Sequence, residues 1–243
     1  MSSNDVTFDG VRLMHGDCLE RMKEIADGSV DAIICDPPYG TTACKWDSVI
    51  PLDEMWEQLK RIIKPNGAIV MTASQPFTTT LIASNMKDFK YCWYWKKNRA
   101  TGVLNAKRQP LRNVEDVCVF NVKQYNPQGL IEYNKPSRNA KKDSEVYGSG
   151  QTNAYNQAWT NYPKQILEFD SVQRVKHPTQ KPAALMEYLI KTYTNEGDTV
   201  LDFTMGSGST GVGAVNTRRK FIGIERDDKY YGVAMQRILE ASI

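Results

Sequence analysis

The chain has 243 residues, of which 41% are hydrophobic and 24% charged, and a net charge of +3; this is the composition of one ordinary globular domain with a full core, with room for an inserted lobe. Five cysteines, an odd number without a Cys-x-x-Cys pair, and only two histidines argue against both a disulfide framework and a metal site. The opening Met1-Ser2-Ser3-Asn4-Asp5 is no secretory leader, and no apolar run approaches the ~20 residues that span a bilayer, so a soluble cytoplasmic chain is expected.

In chain order, Val11-Arg12-Leu13-Met14 predicts a short strand ending at His15-Gly16-Asp17, followed by a helix from about Cys18 to Ala26. Asp17 then lies at a strand's carboxyl end, where capping the helix competes with a ligand role. Val30-Asp31-Ala32-Ile33-Ile34-Cys35 is short, β-branched and closed by a turn signal, which predicts a buried strand of a parallel sheet.

Asp36-Pro37-Pro38-Tyr39-Gly40 follows directly. In open α/β sheets ligands bind beyond the carboxyl ends of the strands, so this stretch is placed where chemistry is expected. An ionised Asp36 only accepts hydrogen bonds, and the Pro37 carbonyl, held by a ring that offers no N–H, supplies a second acceptor. Two acceptors match one amino group. Tyr39 adds a flat face on which a planar base could stack, worth roughly 1–3 kcal/mol. The residues read as a clamp for an exocyclic NH2 on a heterocycle, although Asp-Pro-Pro would equally make a plain turn after a strand.

Thr41 to Ile50 is expected to be a loop, with Lys45-Trp46-Asp47 as a hinge near the site or Trp46 as simple packing. A helix carrying Met55, Leu59, Ile62 and Ile63 on one face should stop at Pro65-Asn66-Gly67, ahead of a strand over 67–73. Pro76 suits the first turn of a helix with Phe77, Leu81 and Ile82, and 90–95 and 116–122 read as strands. The βαβα rhythm predicts a doubly wound parallel sheet whose last two strands form an antiparallel edge.

Charge is uneven along the chain. From Lys96 to Lys142 there are eleven Lys/Arg against three Asp/Glu, a net +8, so the remainder carries −5. With Tyr125 and Tyr133 interleaved, this stretch fits a polyanion partner. Arg99, Lys107, Arg108 and Arg112, together with Lys45, are the candidate contacts. Residues 123–176 are rich in Asn, Gln, Tyr, Lys and Gly with little periodicity, which predicts a functional loop system or a disordered segment inserted in the single domain.

His177-Pro178-Thr179-Gln180-Lys181-Pro182 leads into a helix with Leu185, Leu189 and Tyr193 on one face, ended by Asn195-Glu196-Gly197. His177 reads more readily as packing than as an acid or base. Thr199 to Phe203 is a strand, and Gly206 to Gly211 opens a helix to about Thr217. Gly206, Gly208 and Gly211 satisfy a G-x-G-x-x-G spacing, with Glu225 closing the strand Phe221-Ile222-Gly223-Ile224. A nicotinamide enzyme shares that fingerprint, but has no need of Asp36-Pro37-Pro38-Tyr39 or of the basic stretch. A last helix from about Asp228 turns Tyr231, Met235 and Ile238 inward.

Taken together, Asp36-Pro37-Pro38-Tyr39, His177 to Pro182 and Asp202-Phe203-Thr204-Met205-Gly206-Ser207-Gly208 resemble, in that order, the catalytic and cofactor motifs of the amino-group methyltransferases that act on DNA. With the catalytic tetrad first and the glycine loop last, the arrangement is similar to the β group. The resemblance implies a Rossmann-like S-adenosylmethionine-dependent fold with permuted motif order, and 123–176 as the target-recognition region. It implies an acidic contact from Asp17 to the adenine side of the cofactor. Thr179, Gln180 and Lys181 would cover its methionine end, with Lys181 meeting a carboxylate, and Asp202, Phe203, Gly206, Gly208 and Glu225 would bind the rest. A leading Asp is more usual for adenine N6 and a leading Ser for cytosine N4, so adenine in double-stranded DNA is the expected target. Cytosine N4 methylation and a DNA-binding protein with a degenerate site are the alternatives. A homodimer is compatible with the sequence, which says nothing of a cognate restriction endonuclease.

Overall fold

Apolar runs become strands covered on both faces. In a computed structural model, residues 5–41, 47–138, 143–144, 148–149, 154–173 and 180–243 are described. The chain runs β1 (Val6–Phe8), β2 (Val11–His15), α1 (Cys18–Met22), β3 (Val30–Cys35), α2 (Leu52–Ile62), β4 (Ile63–Ala73), α3 (Phe77–Ser84), β5 (Phe89–Thr101) and β6 (Arg112–Phe120). Next come β7 (Ile131–Arg138), β8 (Asp143–Ser144), β9 (Gly148–Ser149) and β10 (Ala154–Thr160). Then follow β11 (Ile166–Glu168), α4 (Ala183–Tyr193), β12 (Thr199–Asp202), α5 (Ser209–Asn216), β13 (Lys220–Glu225) and α6 (Asp228–Ala241).

The main sheet has the order β1-β2-β13-β12-β3-β4-β6-β5-β11. Its five central strands, from β2 to β4, are mutually parallel. Alternate residues of β3 go to opposite cores. Ala32 and Ile34 pack with Leu185, Leu189, Ala214 and Ile238 of α4 to α6, while Ile33 and Cys35 pack with Met22, Leu59 and Leu81 of α1 to α3. Each such aliphatic side chain, once fully buried, contributes roughly 1.5–3 kcal/mol. The doubly wound parallel sheet expected from the βαβα rhythm is therefore present, and none of the helices among the described residues is long and apolar enough to cross a membrane.

Three local differences have physical causes. Helix α1 stops at Met22 because the next amides, of Lys23, Glu24 and Ile25, bond to the carbonyl three residues back, tightening the chain into a turn. The Pro65-Asn66-Gly67 stop signal lies inside β4 as a bulge, since Val30 pairs with Ile63 and Ala32 with Ala68. Gly67 is required there, because a Cβ would stand 2.5 Å from the Asp31 carbonyl oxygen. The antiparallel strands β5 and β6 extend into the basic stretch and are not the edge, which β11 takes by pairing in parallel with β5. The short strand β1, antiparallel to β2, is not announced by the sequence pattern.

Two compact units result. One comprises the chain up to Asn126 together with Gln165 onward, and the other is Pro127–Lys164, narrower than the 123–176 insertion expected. Residues at the margins belong to the larger unit for a reason: Leu167 is buried in its core, and the Asn126 amide donates to the Lys191 and Thr194 carbonyls. The smaller unit is an antiparallel β7–β10 ribbon with a bulge between Gln157 and Trp159, and a minimal β8–β9 pair. Its Tyr133, Tyr155 and Trp159 are exposed.

Candidate active site

Strand order reverses between β12 and β3, and a ligand crevice forms beyond the carboxyl ends of strands at such a point. A cavity of about 500 Å³ lies there. Its wall includes Asp36, Pro37, Pro38 and Tyr39 after β3, Asp17 after β2, Asp202 at the end of β12 with Phe203 and Gly206 after it, Glu225 at the end of β13, and Gln180 and Lys181 before α4.

Asp36 is held from three directions. Its Oδ1 accepts hydrogen bonds from the Tyr39 hydroxyl at 2.7 Å and from the Thr72 hydroxyl. Its Oδ2 accepts from Lys181 Nζ at 2.6 Å. The Thr204 hydroxyl donates to the Asp36 carbonyl at 3.2 Å, tying the loop after β12 to the tetrad. A carboxylate offers about four lone-pair sites, and the described residues take three, so Oδ2 retains an acceptor position on a residue that lines the cavity.

Lys181 is 6% exposed and also lies 3.4 Å from Glu115 Oε2, and Lys97 pairs with Glu115 Oε1. Burial alone would lower the Lys181 pKa, but the Asp36 and Glu115 carboxylates outweigh it and hold the ammonium above the ordinary lysine value. The charges alternate from Asp36 through Lys181 and Glu115 to Lys97. The carboxylate that Lys181 meets is thus the protein's own. Burial and the charge of Asp36 raise the Tyr39 phenol, which stays a donor at neutral pH. The Tyr39 ring stacks on Phe77, with centroids 5.4 Å apart and planes at 22°.

At the end of β12, burial pushes the Asp202 carboxyl up to about 7, against the Thr210 hydroxyl and the Thr204 N–H that favour its charge. Burial likewise raises Glu225, which accepts from the Gly206 and Asp227 amides at 2.9 and 2.8 Å. Asp17 caps α1, accepting from the Leu19 amide at 2.9 Å, and also lines the cavity, so its two readings are compatible. Asp17 and Glu225, on neighbouring strands beside the apolar Phe203 and Ile224, fit a nucleoside bearing hydroxyl and amino donors, and Asp202 on the next strand adds a third acceptor to the same cavity. Gly206 is on the wall, whereas Gly208, with φ at 78°, turns the chain into α5 where a Cβ would crowd Ala234 at 3.0 Å.

Of the basic candidates, Arg99 lines the cavity, while Lys107, Arg108 and Arg112 are exposed on the β5–β6 hairpin. Lys45, Trp46, His177 and Thr179 lie outside the described residues. The sequence gives no site role to Thr72, Lys97 or Glu115, and Thr204, although inside the cofactor motif, is not marked there as a partner of Asp36. A signal existed for two of them: Thr72 interrupts the apolar run 68–73, and Glu115 stands just ahead of the apolar run Val117–Phe120.

The chain's sequence matches a family profile described as DNA methylase, of the N6/N4 methyltransferases, over residues 30–236. The chain belongs to this family. It is 31% identical to the DNA adenine methyltransferase YhdJ of Escherichia coli K12 over 252 residues, covering 95% of this chain and 83% of that protein. Among solved structures it resembles the M1.HpyAVI–SAM complex, with 28% identity and a TM-score of 0.64, covering 93% of this chain and 99% of that one. The cytosine-N4-specific PvuII DNA methyltransferase, at 18% identity and a TM-score of 0.72 over 98% of this chain and 89% of its own, shares the fold.

Proposed function

We infer that the protein is a site-specific DNA methyltransferase that transfers a methyl group from S-adenosylmethionine to the N6 amino group of adenine. The observation that carries this reading is the remaining acceptor position on Asp36 Oδ2, in one cavity with Asp17, Asp202 and Glu225. The E. coli relative's adenine activity and the leading Asp of the tetrad favour adenine over cytosine.

S-adenosylmethionine supplies an electrophilic methyl group when bound. The chain's residues do the rest. Asp17 and Glu225 accept from the nucleoside's amino and hydroxyl donors, and Asp202 accepts from the amino-acid end with Gln180 alongside. The target adenine leaves the duplex, at a cost of a few kcal/mol, and lies on the Tyr39 face opposite Phe77. Asp36 Oδ2 and the Pro37 carbonyl accept its two amino hydrogens, which turns the nitrogen lone pair toward the methyl donor. Positive charge grows on that nitrogen during transfer, so the fixed carboxylate stabilises the transition state more than the ground state. Lys181, Tyr39 and Thr72 hold the carboxylate in place before the base arrives. No cysteine nucleophile is needed.

The basic hairpin and Lys45 contact the phosphates, and the β7–β10 ribbon with its exposed Tyr133, Tyr155 and Trp159 reads base edges, a two-stranded ribbon being narrow enough for the major groove. Double-stranded DNA is the partner, met in the cytoplasm by a monomer or homodimer. The test is to sequence DNA from cells expressing the chain, with detection of modified bases. N6-methyladenine at one recurring sequence is expected; N4-methylcytosine in its place would overturn the adenine assignment.

A further inference from the structure

The tip of the β5–β6 hairpin exposes what a soluble surface usually hides. Leu104 is 101% exposed and Val103 71%, side by side in a single 3-10 turn. The turn is ordered: the amides of Asn105, Ala106, Arg108 and Gln109 all find backbone carbonyl partners within it, and Gly102 supplies the left-handed φ of 91° that starts it. The strand leading to it lines the cavity through Arg99 and Thr101, and Thr101 pairs with Arg112 across the hairpin. Two bulky apolar side chains are thus carried on a hydrogen-bonded turn two and three residues after Thr101 of the cavity wall, flanked by the exposed cations Lys107, Arg108 and Arg112.

Two adjacent bulky apolar side chains at this exposure are suited to contact rather than to water, and the surrounding charge selects a polyanion over an apolar protein face. We propose that Val103 and Leu104 form an apolar wedge that enters the DNA duplex beside the target and fills the space vacated by the extruded base. The proposal rests on the base-extruding methyltransferase reading above. Apolar side chains inserted between base steps unstack them and offset the cost of opening the helix. Phosphate contacts from the flanking cations would set the depth of insertion, while the wedge itself stabilises the open duplex. Val103 and Leu104 do not line the cavity, so they are positioning residues.

The test compares the full-length wild type with Leu104→Ala and with a Val103→Ala/Leu104→Ala double variant, at saturating S-adenosylmethionine. Two duplexes are used, one with the target adenine paired and one with it opposite an abasic site, where extrusion costs little. The double variant is expected to lose at least ~10-fold in kcat/KM on the paired duplex and less than ~3-fold on the abasic one, as the cost of opening is borne by the substrate. A 2-aminopurine placed at the target should brighten on binding wild type and brighten less with the variants. Equal losses on both duplexes, or no loss on either, overturn the wedge while leaving the methyltransferase reading intact. A wild-type chain that methylates neither duplex refutes that reading and the wedge with it.

Discussion

Lys181 Nζ lies 2.6 Å from Asp36 Oδ2 although 145 residues separate the two in the chain. The ion pair joins the loop after β3 to the loop before α4, so the catalytic tetrad and the cofactor segment are fastened by opposite charges in a largely buried setting. Lys181→Met keeps the length of the side chain but leaves Asp36 and Glu115 without their shared cation. Single-turnover methyl transfer should slow at least ~10-fold, about 1.4 kcal/mol of barrier, with partial recovery in Lys181→Arg. A wild-type rate in Lys181→Met would show that the pair does not organise the site.

Asp36→Ala removes the charged acceptor and leaves the Pro37 carbonyl, Tyr39 and the glycine loop in place. The variant should fold and bind both S-adenosylmethionine and DNA, yet transfer methyl groups ~100-fold more slowly, the scale of one lost preorganised electrostatic contact. Asp36→Asn should be milder, because an amide oxygen still accepts a hydrogen bond. Single-turnover rates with saturating DNA and cofactor separate the chemical step from binding. Near-normal turnover in Asp36→Ala would return the tetrad to a plain turn.

Tyr39 has two separable parts. Tyr39→Phe deletes only the hydroxyl that donates to Asp36, a hydrogen bond to a charged group worth roughly 1.5–3 kcal/mol, while the ring keeps its place against Phe77. Tyr39→Ala also removes the stacking face, a further loss of roughly 1–3 kcal/mol. The phenylalanine variant should therefore lose rate but retain affinity for the extruded base, followed by 2-aminopurine fluorescence, whereas the alanine variant should lose both. Identical behaviour of the two would remove stacking from the mechanism.

Asp202 links stability and cofactor binding to pH. Its folded carboxyl titrates at about 7 against an ordinary 3.8, so between these values the folded chain keeps a proton that the unfolded chain has released. Unfolding free energy should then fall as pH rises through this window and level off above it. Glu225, also raised, contributes in the same direction. Urea titrations across the window should show a shallower fall in Asp202→Asn. The ionised carboxylate is the form that only accepts hydrogen bonds, so S-adenosylmethionine should bind more tightly at about pH 8 than at about pH 6, by calorimetry. Tighter binding at the lower pH would exclude Asp202 as a cofactor acceptor.

Lys107, Arg108 and Arg112 test the DNA face. Neutralising all three should weaken DNA binding and lower the log–log salt slope by up to ~2.7, at about 0.9 for each phosphate contact. Cofactor affinity should not change, because none of the three lines the cavity. An unchanged slope would mean that the hairpin faces away from the DNA.

What the sequence by itself determined is local. A β-branched run closed by Asp-Pro-Pro ends as a buried strand with its acid at the carboxyl end, because pleat, proline ring and turn act over a few residues. The glycine loop is set in the same way by Gly208, whose left-handed φ is read from one residue. Tertiary structure alone decided the partners. Thr72 reaches Asp36 because β3 and β4 are neighbours in register, Cys35 pairing with Met71, and Lys181 meets Asp36 and Glu115 because three distant segments converge on one cavity. Periodicity carries no record of such pairings, since a polar residue next to a strand looks alike whether it faces water or a buried charge. The extension of β5 and β6 was hidden for a related reason. Its residues are polar and basic, and only pairing between the two strands, from Phe89 with Phe120 out to Thr101 with Arg112, makes them a hairpin.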